Sequence, residues 1–459
     1  MSVFSLSNLK KTWYYLQKNG IRNAVWAVLE RIGQEQEVYT WQEPDEKTLS
    51  FQREHSASLR ISIVVPAYRT KKEHLEAMLN SVSKQSYPHW ELIVADAGGT
   101  AESVQAWAKK NGICLRKAAD TSNLAEWKDQ SIMLCTLSEN KGISANTNAG
   151  IELAAGDAVG LLDHDDLLTA NALWEMADCL EKEKKRGKQK LVLFSDEDKC
   201  DGAASRFSEP NFKPDFDGEL LLTNNYICHF TVIETAFLKE LKLRSGFDGA
   251  QDYDLVLRAY AAGGQFVHVP KVLYHWRCHE ASTASNPQSK RYAYEAGQRA
   301  LEDYCLRKGW KATVSGLKHL GFYREDYEDS VFCQRPEIGI WAKPLPGGRD
   351  IFGIRHPKGF LVSGLYENDG LMRYAGLRKG YSGPMHRAAL QQSAPAADLR
   401  SMEVCSALKE RYAQTIAELK EACQGLPTAA QETKILQKSM EFCKEATAAG
   451  YGILWDPQA

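Results

Sequence analysis

The sequence predicts an α/β protein with a doubly wound mixed sheet, N-terminal helices and a C-terminal α/β appendage. Two short apolar runs, at residues 61–65 and 91–95, are rich in β-branched residues and typical of buried parallel strands. Apolar residues at helical spacing predict a helix over 72–86 between them. Strand, helix and strand in this order form a βαβ unit. Further strands are predicted at 158–162, 191–194 and 266–269, and this alternation indicates one α/β domain over about 59–315.

The chain of 459 residues divides into three predicted parts. Residues 1–58 combine amphipathic helices over 8–32, where Trp and Tyr lie beside Lys and Arg, with a polar linker over 33–58. Such helices either pack on the following domain or contact a membrane surface. Residues 59–315 carry the α/β domain, and residues 316–459 form the appendage.

The composition indicates a globular protein without a strong charge bias. With 57 basic and 59 acidic residues, the chain does not suit wrapping of nucleic acid by phosphate neutralisation. No apolar run approaches the ~18 residues of a membrane span, and the N-terminus lacks the apolar core of a signal peptide. The eleven cysteines form no CxxC or Cys/His cluster, which favours a reducing compartment. We therefore expect a cytoplasmic protein, with peripheral attachment to the inner face of the cell membrane left open.

Carboxylates follow three of the predicted strands. Asp96 ends the second strand, the run Asp-His-Asp-Asp at 163–166 follows another, and Asp-Glu-Asp at 196–198 follows a third. Ligands of open α/β sheets bind beyond the carboxyl ends of the strands, so these acids should converge. Converging carboxylates repel one another unless a cation compensates, and aspartate oxygens suit Mg²⁺ or Mn²⁺. Each Asp alone could instead be a turn residue or a helix N-cap, above all Asp166 before an expected helix over 167–179.

Several common catalytic motifs are absent from the sequence. It has no GxxxxGK[ST] phosphate loop, no GxGxxG after a strand, no GxSxG elbow and no HExxH pair. P-loop, dinucleotide-binding, serine-hydrolase and zinc-protease interpretations therefore have no support.

Five stretches, in chain order, resemble the motifs of the inverting nucleotide-sugar glycosyltransferases of family 2, which have the GT-A fold. They are ISIVVPAYRT, ELIVADAGGT, ENKGISANTNAGIELAAGDAVGLLDHDDLL, GAQDYDLVLR and HVPKVLYHWR. The pieces SDEDK, NYICH and YHWR are similar to the bacterial subgroup that builds O-antigen, rhamnan and related cell-envelope polysaccharides. The resemblance spans about 59–310. It implies metal-dependent, inverting transfer of a sugar from a UDP- or dTDP-sugar to a hydroxyl of a lipid-linked or polymeric glycan.

The resemblance also implies roles for individual residues. Asp252 corresponds to the general base, although Gln251 replaces the usual Glu before it, and Asp254 is the rival acid. The implied metal ligands are Asp165 and His275. The implied nucleotide-binding residues are Pro66, Ala67, Tyr68, Asp96, Asp163 and Arg277. Candidates for the donor sugar or the acceptor are Asp196, Glu197, Asp198, Asn225, Tyr226, His229 and Trp276, with Ser282 and Thr283 in addition; ordinary packing or turn formation is the alternative for each.

Two other functions compete with glycosyl transfer. A nucleotidyltransferase of the same fold would need a Gly-rich, basic loop after the first strand, but VVPAYRTKK contains no glycine. A non-catalytic glycan-binding or scaffold subunit of a polysaccharide assembly complex would not need Asp163, Asp165, Asp252 and His275 together.

Residues 316–459 are predicted to be a degenerate, shortened second glycosyltransferase-like domain. Residues 251–272 and 438–459 align without a gap, and three alanines, a glycine and a proline coincide: Ala259, Ala261, Ala262, Gly263 and Pro270 meet Ala446, Ala448, Ala449, Gly450 and Pro457. Asp252 faces Ser439, so the second unit lacks the acid. A chance match of an alanine-rich helix is the alternative. Packing on the first domain, homodimer formation and acceptor guidance remain open as roles.

Overall fold

The computed structural model describes residues 39–118, 127–278, 291–316, 321–342, 372–373, 402–422, 441–442 and 444–455. The predicted helices over 8–32 and the candidates Ser282 and Thr283 lie outside the described residues. Within the described ranges, no helix is long and apolar enough to cross a membrane.

The strands of the main sheet are β1 (Ile61–Ala67), β2 (Trp90–Asp96), β3 (Cys114–Lys117), β4 (Ser131–Thr136), β5 (Ala158–Leu161), β6 (Leu167–Leu168), β7 (Leu191–Cys200), β8 (Phe207–Asn211), β9 (Thr231–Glu234) and β10 (Gln265–Arg277). The helices around it are α1 (Glu46–Glu54), α2 (Lys72–Ser83), α3 (Ala101–Asn111), α4 (Ile143–Leu153), α5 (Ala172–Lys185), α6 (Gly218–Thr223), α7 (Thr235–Leu241), α8 (Gln251–Ala261) and α9 (Arg291–Arg307). Beyond them come β11 (Ala312–Gly316), β12 (Tyr323–Tyr327), α10 (Val331–Gln334), β13 (Ile338–Ala342), β14 (Met372–Arg373), β15 (Met402–Val404), α11 (Ser406–Arg411), α12 (Ala413–Ala422) and β16 (Gly452–Trp455).

The main sheet is mixed and mainly parallel. Its strand order is β3-β4-β2-β1-β5-β9-β7-β10-β6, with β8 paired to β7. The strands from β3 to β5 run parallel, β9 is antiparallel to both of its neighbours, and β10 is parallel to β7. The predicted α/β fold class with a mixed sheet is confirmed.

Helices cover both faces of β1, which is why its sequence is apolar on both faces, with Ser62 as the exception, rather than alternating. Successive side chains of a strand point to opposite faces. Ile63 packs in one core with Leu75 of α2, whereas Val64 packs in a second core with Ile151 of α4. All four side chains are fully buried. These two cores fix the position of β1 and of its carboxyl end.

The turn after β2 contains Gly98 and Gly99. Gly99 has φ +85°, a left-handed conformation that favours glycine. The carbonyl oxygen of Gly98 accepts a hydrogen bond from the Arg69 amide at 3.0 Å, which ties this turn to the loop after β1.

Three sequence-based boundaries are wrong. The polar linker expected over 33–58 contains α1, whose N-cap Asp45 accepts from the Thr48 amide at 2.7 Å. Gln52 of this helix is buried and accepts from the Ser86 hydroxyl at 2.7 Å, so the segment packs on the α/β domain.

The helix expected from 167 begins only at Ala172, because Leu167 and Leu168 pair with β10 as strand β6. Asp166 is therefore not the N-cap of that helix. The strand expected over 191–194 continues to Cys200, since β10 and β8 pair with it on its two edges. The acids at 196–198 thus lie within β7 rather than after it.

The C-terminal part contains a small sheet of order β14-β16-β13-β15. Before β16, residues 444–448 are helical and Gly450 turns with φ +90°, as Gly263 turns with φ +78° between α8 and β10. The helix, glycine turn and strand expected from the repeat are therefore present. The interpretation of 316–459 as a degenerate second domain stays a prediction.

A buried cluster of two carboxylates and one guanidinium lies between α6 and β12. The Arg335 guanidinium donates to both carboxylate oxygens of Glu219, each at 2.6 Å. Glu325 is 1% exposed, and burial together with the nearby Glu219 charge raises the pKa of its carboxyl to about 8. Near neutral pH, Glu325 is therefore protonated in the folded protein and ionised in the unfolded chain.

We expect Glu325→Gln to stabilise the protein increasingly as the pH rises from 5 to 8. The folded wild type binds more protons than the unfolded chain in this window, so its free energy of unfolding falls with rising pH. Gln removes this dependence, and its Tm should exceed that of the wild type by about 2 °C or more at pH 8. Thermal denaturation at several pH values measures this; an equal Tm difference at pH 5 and pH 8 would contradict it.

Candidate functional site

The turn between β5 and β6 brings the acids Asp163, Asp165 and Asp166 together at the edge of the sheet. Asp166 is buried and accepts hydrogen bonds from the Tyr274 hydroxyl at 2.5 Å and from the Arg277 amide at 2.7 Å. Burial, followed by the charges of Asp163 and Asp165, raises its pKa well above the ordinary value. Asp166 thus fastens the turn to β10.

Arg277 supports the same turn. Its Nε donates to the carbonyl oxygen of Asp165 at 2.5 Å, and its Nη1 donates to that of Gly202 at 2.8 Å. Its Nη2 is buried and has no hydrogen-bond partner among the described residues. Arg277, which is predicted to bind the nucleotide, therefore holds the acidic turn in place. One of its buried N–H groups has no partner among the described residues.

His275 lies beside β7 with one ring nitrogen engaged. Its Nδ1 lies 2.5 Å from Asp198 Oδ1, and since a carboxylate only accepts, Nδ1 carries the proton. Asp198 Oδ2 accepts from the Tyr39 hydroxyl at 2.6 Å. The Trp41 ring meets the His275 ring edge-on, with 4.9 Å between centroids. His275 Nε2 is buried without a hydrogen-bond partner in the described part of the chain.

Neighbouring acidic residues of β7 have different hydrogen-bond partners. Asp196 Oδ1 accepts from the Lys213 amide and lies 2.8 Å from His268 Nε2. Glu197 Oε2 accepts from the His229 amide at 2.8 Å and lies 3.1 Å from His229 Nδ1. Protein partners therefore already engage all three candidate sugar-binding carboxylates.

Glu197 and His229 form an ion pair at the site. Burial opposes the charge of Glu197, but the Lys213 ammonium and the His229 hydrogen bonds outweigh it and lower the Glu197 pKa to about 2. Burial likewise opposes the charge of His229, but the hydrogen bond and charge of Glu197 raise the His229 pKa to about 9. Asp163 lies close enough to raise it further. A cationic imidazole therefore stands at the acidic edge.

Asp252 lies in the first turn of α8, where the helix dipole favours a carboxylate. Its Oδ2 accepts from Asn225 Nδ2 at 3.0 Å, and its Oδ1 accepts from the Tyr253 amide at 2.9 Å. Its charge acts on Asp163, where it adds to burial and to Asp165 in raising the pKa. The predicted general base therefore lies near the acidic turn.

Asp254, the rival acid, lies in a different environment. It is 1% exposed and bonded by two guanidinium groups, Arg244 and Arg258. Its carboxylate is committed to this network, which leaves Asp252 as the better candidate for proton transfer.

The predicted nucleotide-binding residues lie at the carboxyl ends of β1 and β2. Tyr68 follows Pro66 and Ala67, is 40% exposed, and has the Arg69 guanidinium 5.1 Å from its ring centroid. Asp96 is buried, and its carboxylate accepts from the amides of Gly98, Thr100 and Ala101 at 2.9–3.3 Å. Its oxygens therefore organise the turn into α3, and its contact with a nucleotide base stays a prediction.

The remaining candidates divide between packing and site. Tyr226 is buried, and its hydroxyl accepts from the Asp217 amide at 2.8 Å, which fits a packing role. Trp276 lies 5.8 Å from the His229 ring and 5.8 Å from the Lys199 ammonium. Sequence reasoning missed Tyr39, Trp41 and Lys213, because no motif marks residues whose contacts lie far away in the chain.

The fit of the residues to a divalent cation can be judged from His275. A ring that donates one N–H to a carboxylate while its other nitrogen stays unprotonated is the usual arrangement of a metal-ligating histidine. Among the described residues, no three His, Cys, Asp or Glu side chains form a preformed metal cage. Mg²⁺ commonly binds through one or two carboxylates with waters and substrate phosphates, so His275 has the chemistry of a ligand, and its pairing with Asp165 in one metal site stays a prediction.

A cavity of about 440 Å³ lies elsewhere, and the residues lining it include Glu219, Tyr260, Tyr304, Trp310 and Arg335. None of the predicted site residues lines it.

Residues 62–241 match the sequence profile described as Glycosyl transferase family 2. We call residues 62–241 the family 2 domain, after the profile that they match. The match starts within β1, includes the acidic turn and all of β7, and ends at the last residue of α7. Asp252, His275 and Arg277 follow the matched residues of the family 2 domain, and β10 joins two of them to its sheet.

The relatives are longer proteins. The chain is 36% identical over 255 residues to protein y4gI of Sinorhizobium fredii, which covers 55% of this chain and 26% of that protein. It is 34% identical over 256 residues to the O-antigen biosynthesis protein RfbC of Myxococcus xanthus, with 56% and 19% covered. The chain thus spans about a quarter or less of these relatives. A structure of S. aureus TarS in complex with UDP-GlcNAc is 20% identical, with a TM-score of 0.41 over 54% of this chain and 67% of that chain.

Proposed function

We propose that the protein is an inverting glycosyltransferase that moves a sugar from a nucleoside diphosphate sugar to a hydroxyl of a cell-envelope glycan. One observation supports this proposal: Asp252 follows the family 2 domain in the chain but lies close enough to its acidic turn for the Asp252 charge to raise the Asp163 pKa. The acidic turn can then bind the donor diphosphate through a cation, while Asp252 faces the acceptor.

In this reaction the acceptor oxygen attacks the anomeric carbon from the side opposite the leaving group. The new C–O bond forms as the bond to the diphosphate breaks, and the nucleoside diphosphate leaves with that electron pair. Asp252 accepts the proton of the acceptor hydroxyl, for which a carboxylate suffices because the proton grows more acidic as the bond forms. Asn225 orients the carboxylate through its 3.0 Å hydrogen bond.

The donor would lie across the carboxyl ends of β1, β2 and β5. The exposed Tyr68 ring supplies a flat surface for the base, Asp96 and the loop of Pro66 and Ala67 flank it, and Asp163 faces the ribose. Arg277 Nη2 and the His229 imidazole supply positive charge for the diphosphate. UDP- or dTDP-sugars are the proposed donors.

Asp165 and His275 would hold a Mg²⁺ or Mn²⁺ ion, which neutralises charge on the leaving diphosphate when bound. Glu197, Asp196, Asp198 and Trp276 are the proposed contacts of sugar hydroxyls. A lipid-linked or polymeric glycan is the proposed acceptor; the name of the RfbC relative, an O-antigen biosynthesis protein, supports a cell-envelope polysaccharide. A lipid-linked acceptor would bring the protein to the inner face of the membrane.

A donor screen tests the proposal. The purified chain is incubated with UDP- and dTDP-sugars, with and without Mn²⁺, and release of nucleoside diphosphate is measured. We expect one sugar nucleotide to be turned over well above the others. Binding of glycan without turnover of any sugar nucleotide would favour a non-catalytic subunit instead.

Deleting residues 1–32 should move the protein off anionic vesicles while donor turnover persists. The segment combines Trp and Tyr with Lys and Arg, and each basic residue near an anionic surface contributes about 1 kcal/mol. Co-sedimentation with phosphatidylglycerol vesicles measures the effect; equal sedimentation of both chains would contradict it.

A further inference from the structure

Lys213 is a lysine buried in the interior of the family 2 domain. Its side chain is 1% exposed, and burial lowers its pKa while the charge of Glu197 opposes that effect. A buried ammonium group is costly unless it is hydrogen-bonded and compensated. The groups that accept hydrogen bonds from the Lys213 ammonium therefore show which part of the chain the lysine holds in place.

The ammonium group holds one loop at two points. Lys213 Nζ donates to the carbonyl oxygen of Ile227 at 3.0 Å and also to that of His229. Both carbonyls belong to residues 224–230, which connect α6 to β9. The Lys213 amide donates to Asp196 Oδ1 at 2.8 Å, so the lysine itself is anchored to β7.

The loop held by Lys213 carries two groups of the proposed site. At one end, Asn225 Nδ2 donates to Asp252 Oδ2 at 3.0 Å. At the other end, the His229 amide donates to Glu197 at 2.8 Å. A shift of this loop would therefore move the partner of the proposed base.

We propose that Lys213 is a positioning residue for glycosyl transfer. Its ammonium group fixes the loop of residues 224–230, so that Asn225 holds the Asp252 carboxylate in the orientation needed for proton transfer. The proposal rests on the proposed role of Asp252 as base. Lys213 itself need not touch the substrate.

The chain offers a matched control. Lys239 Nζ also donates to two backbone carbonyls, those of Glu152 at 3.2 Å and Ala154 at 2.9 Å, but away from the loop. Lys213→Met and Lys239→Met thus delete the same chemical contacts at two places, and Lys213→Arg restores the charge. The full chain is used for all variants. The readouts are Tm, UDP affinity, kcat and KM for the donor, and amide hydrogen exchange of residues 224–230.

We expect Lys213→Met to lower kcat about 10²-fold, as displacement of a reacting group does, with donor KM and UDP affinity within about threefold. Hydrogen exchange of the 224–230 amides should become faster in Lys213→Met, and Lys213→Arg should recover part of kcat. Lys239→Met should change neither kcat nor the exchange of these amides. A kcat in Lys213→Met equal to that of Lys239→Met would overturn the proposal.

If Lys213→Met does not fold, Lys213→Arg is compared with the wild type instead. The proposal is overturned if hydrogen exchange of the loop rises without a fall in kcat, or if neither the exchange nor kcat changes. If neither variant folds, Lys213 holds the domain rather than the loop and the proposal is wrong. If the wild type turns over no sugar nucleotide, the proposed function fails. Hydrogen exchange then still shows whether Lys213 holds the loop.

Discussion

Replacing Asp252 by Asn should lower the rate of glycosyl transfer by about 10²–10⁴-fold, the range that general-base catalysis supplies. Asn keeps the size of the side chain but cannot accept the proton of the acceptor hydroxyl. In the proposed site the donor binds at the strand ends of β1, β2 and β5, so UDP affinity should stay within about threefold. Initial rates of transfer and calorimetric titration with UDP measure the two quantities.

Asp254→Asn is the matched control, since it makes the same change two residues away in the same helix. Because Asp254 is buried between Arg244 and Arg258, this variant should lower the free energy of unfolding by about 3 kcal/mol. Where folded, it should retain far more activity than Asp252→Asn. A near wild-type rate in Asp252→Asn, with loss of activity in folded Asp254→Asn, would exchange the two roles.

Removal of the divalent cation should abolish donor turnover. The donor diphosphate and the carboxylates of Asp163 and Asp165 repel one another unless positive charge stands between them. Asp165→Ala and His275→Ala should each lower kcat by about 10²-fold or more, as loss of transition-state charge stabilisation does. Turnover is measured after dialysis against EDTA and again after addition of Mn²⁺.

Asp178→Ala serves as the control for that experiment, because Asp178 pairs with Lys182 on the exposed side of α5. It should leave both the rate and its dependence on Mn²⁺ unchanged. Full activity in excess EDTA would remove the metal from the mechanism and leave His229 and Arg277 to balance the diphosphate.

The parts of the fold that sequence predicts are those fixed by local burial. Residues 61–65 are apolar at every position except Ser62 because helices cover both faces of β1, and this pattern is visible without a structure. The Gly98-Gly99 turn is visible for a similar reason, since its φ angle favours glycine. Leu167 and Leu168 are different: their strand exists only because Tyr274 and His275, more than a hundred residues away, supply the pairing partner.

The site divides in the same way. The acids at 163–166 and Asp252 could be named from motifs, but the preference for Asp252 over Asp254 rested on resemblance alone. The structure separates them by their partners, Asn225 for one and two arginines for the other. Lys213 and Tyr39 escaped notice because what they do depends on contacts with Ile227 and Asp198, which no spacing along the chain reveals.

The stereochemistry of donor hydrolysis tests the central claim most directly. In the absence of acceptor, water can take its place at Asp252, and proton NMR can identify the sugar anomer released before mutarotation. With a donor whose sugar is α-linked, in-line attack predicts that the β-anomer appears first and that Asp252→Asn suppresses it. Initial release of the α-anomer would contradict an inverting transfer at this site.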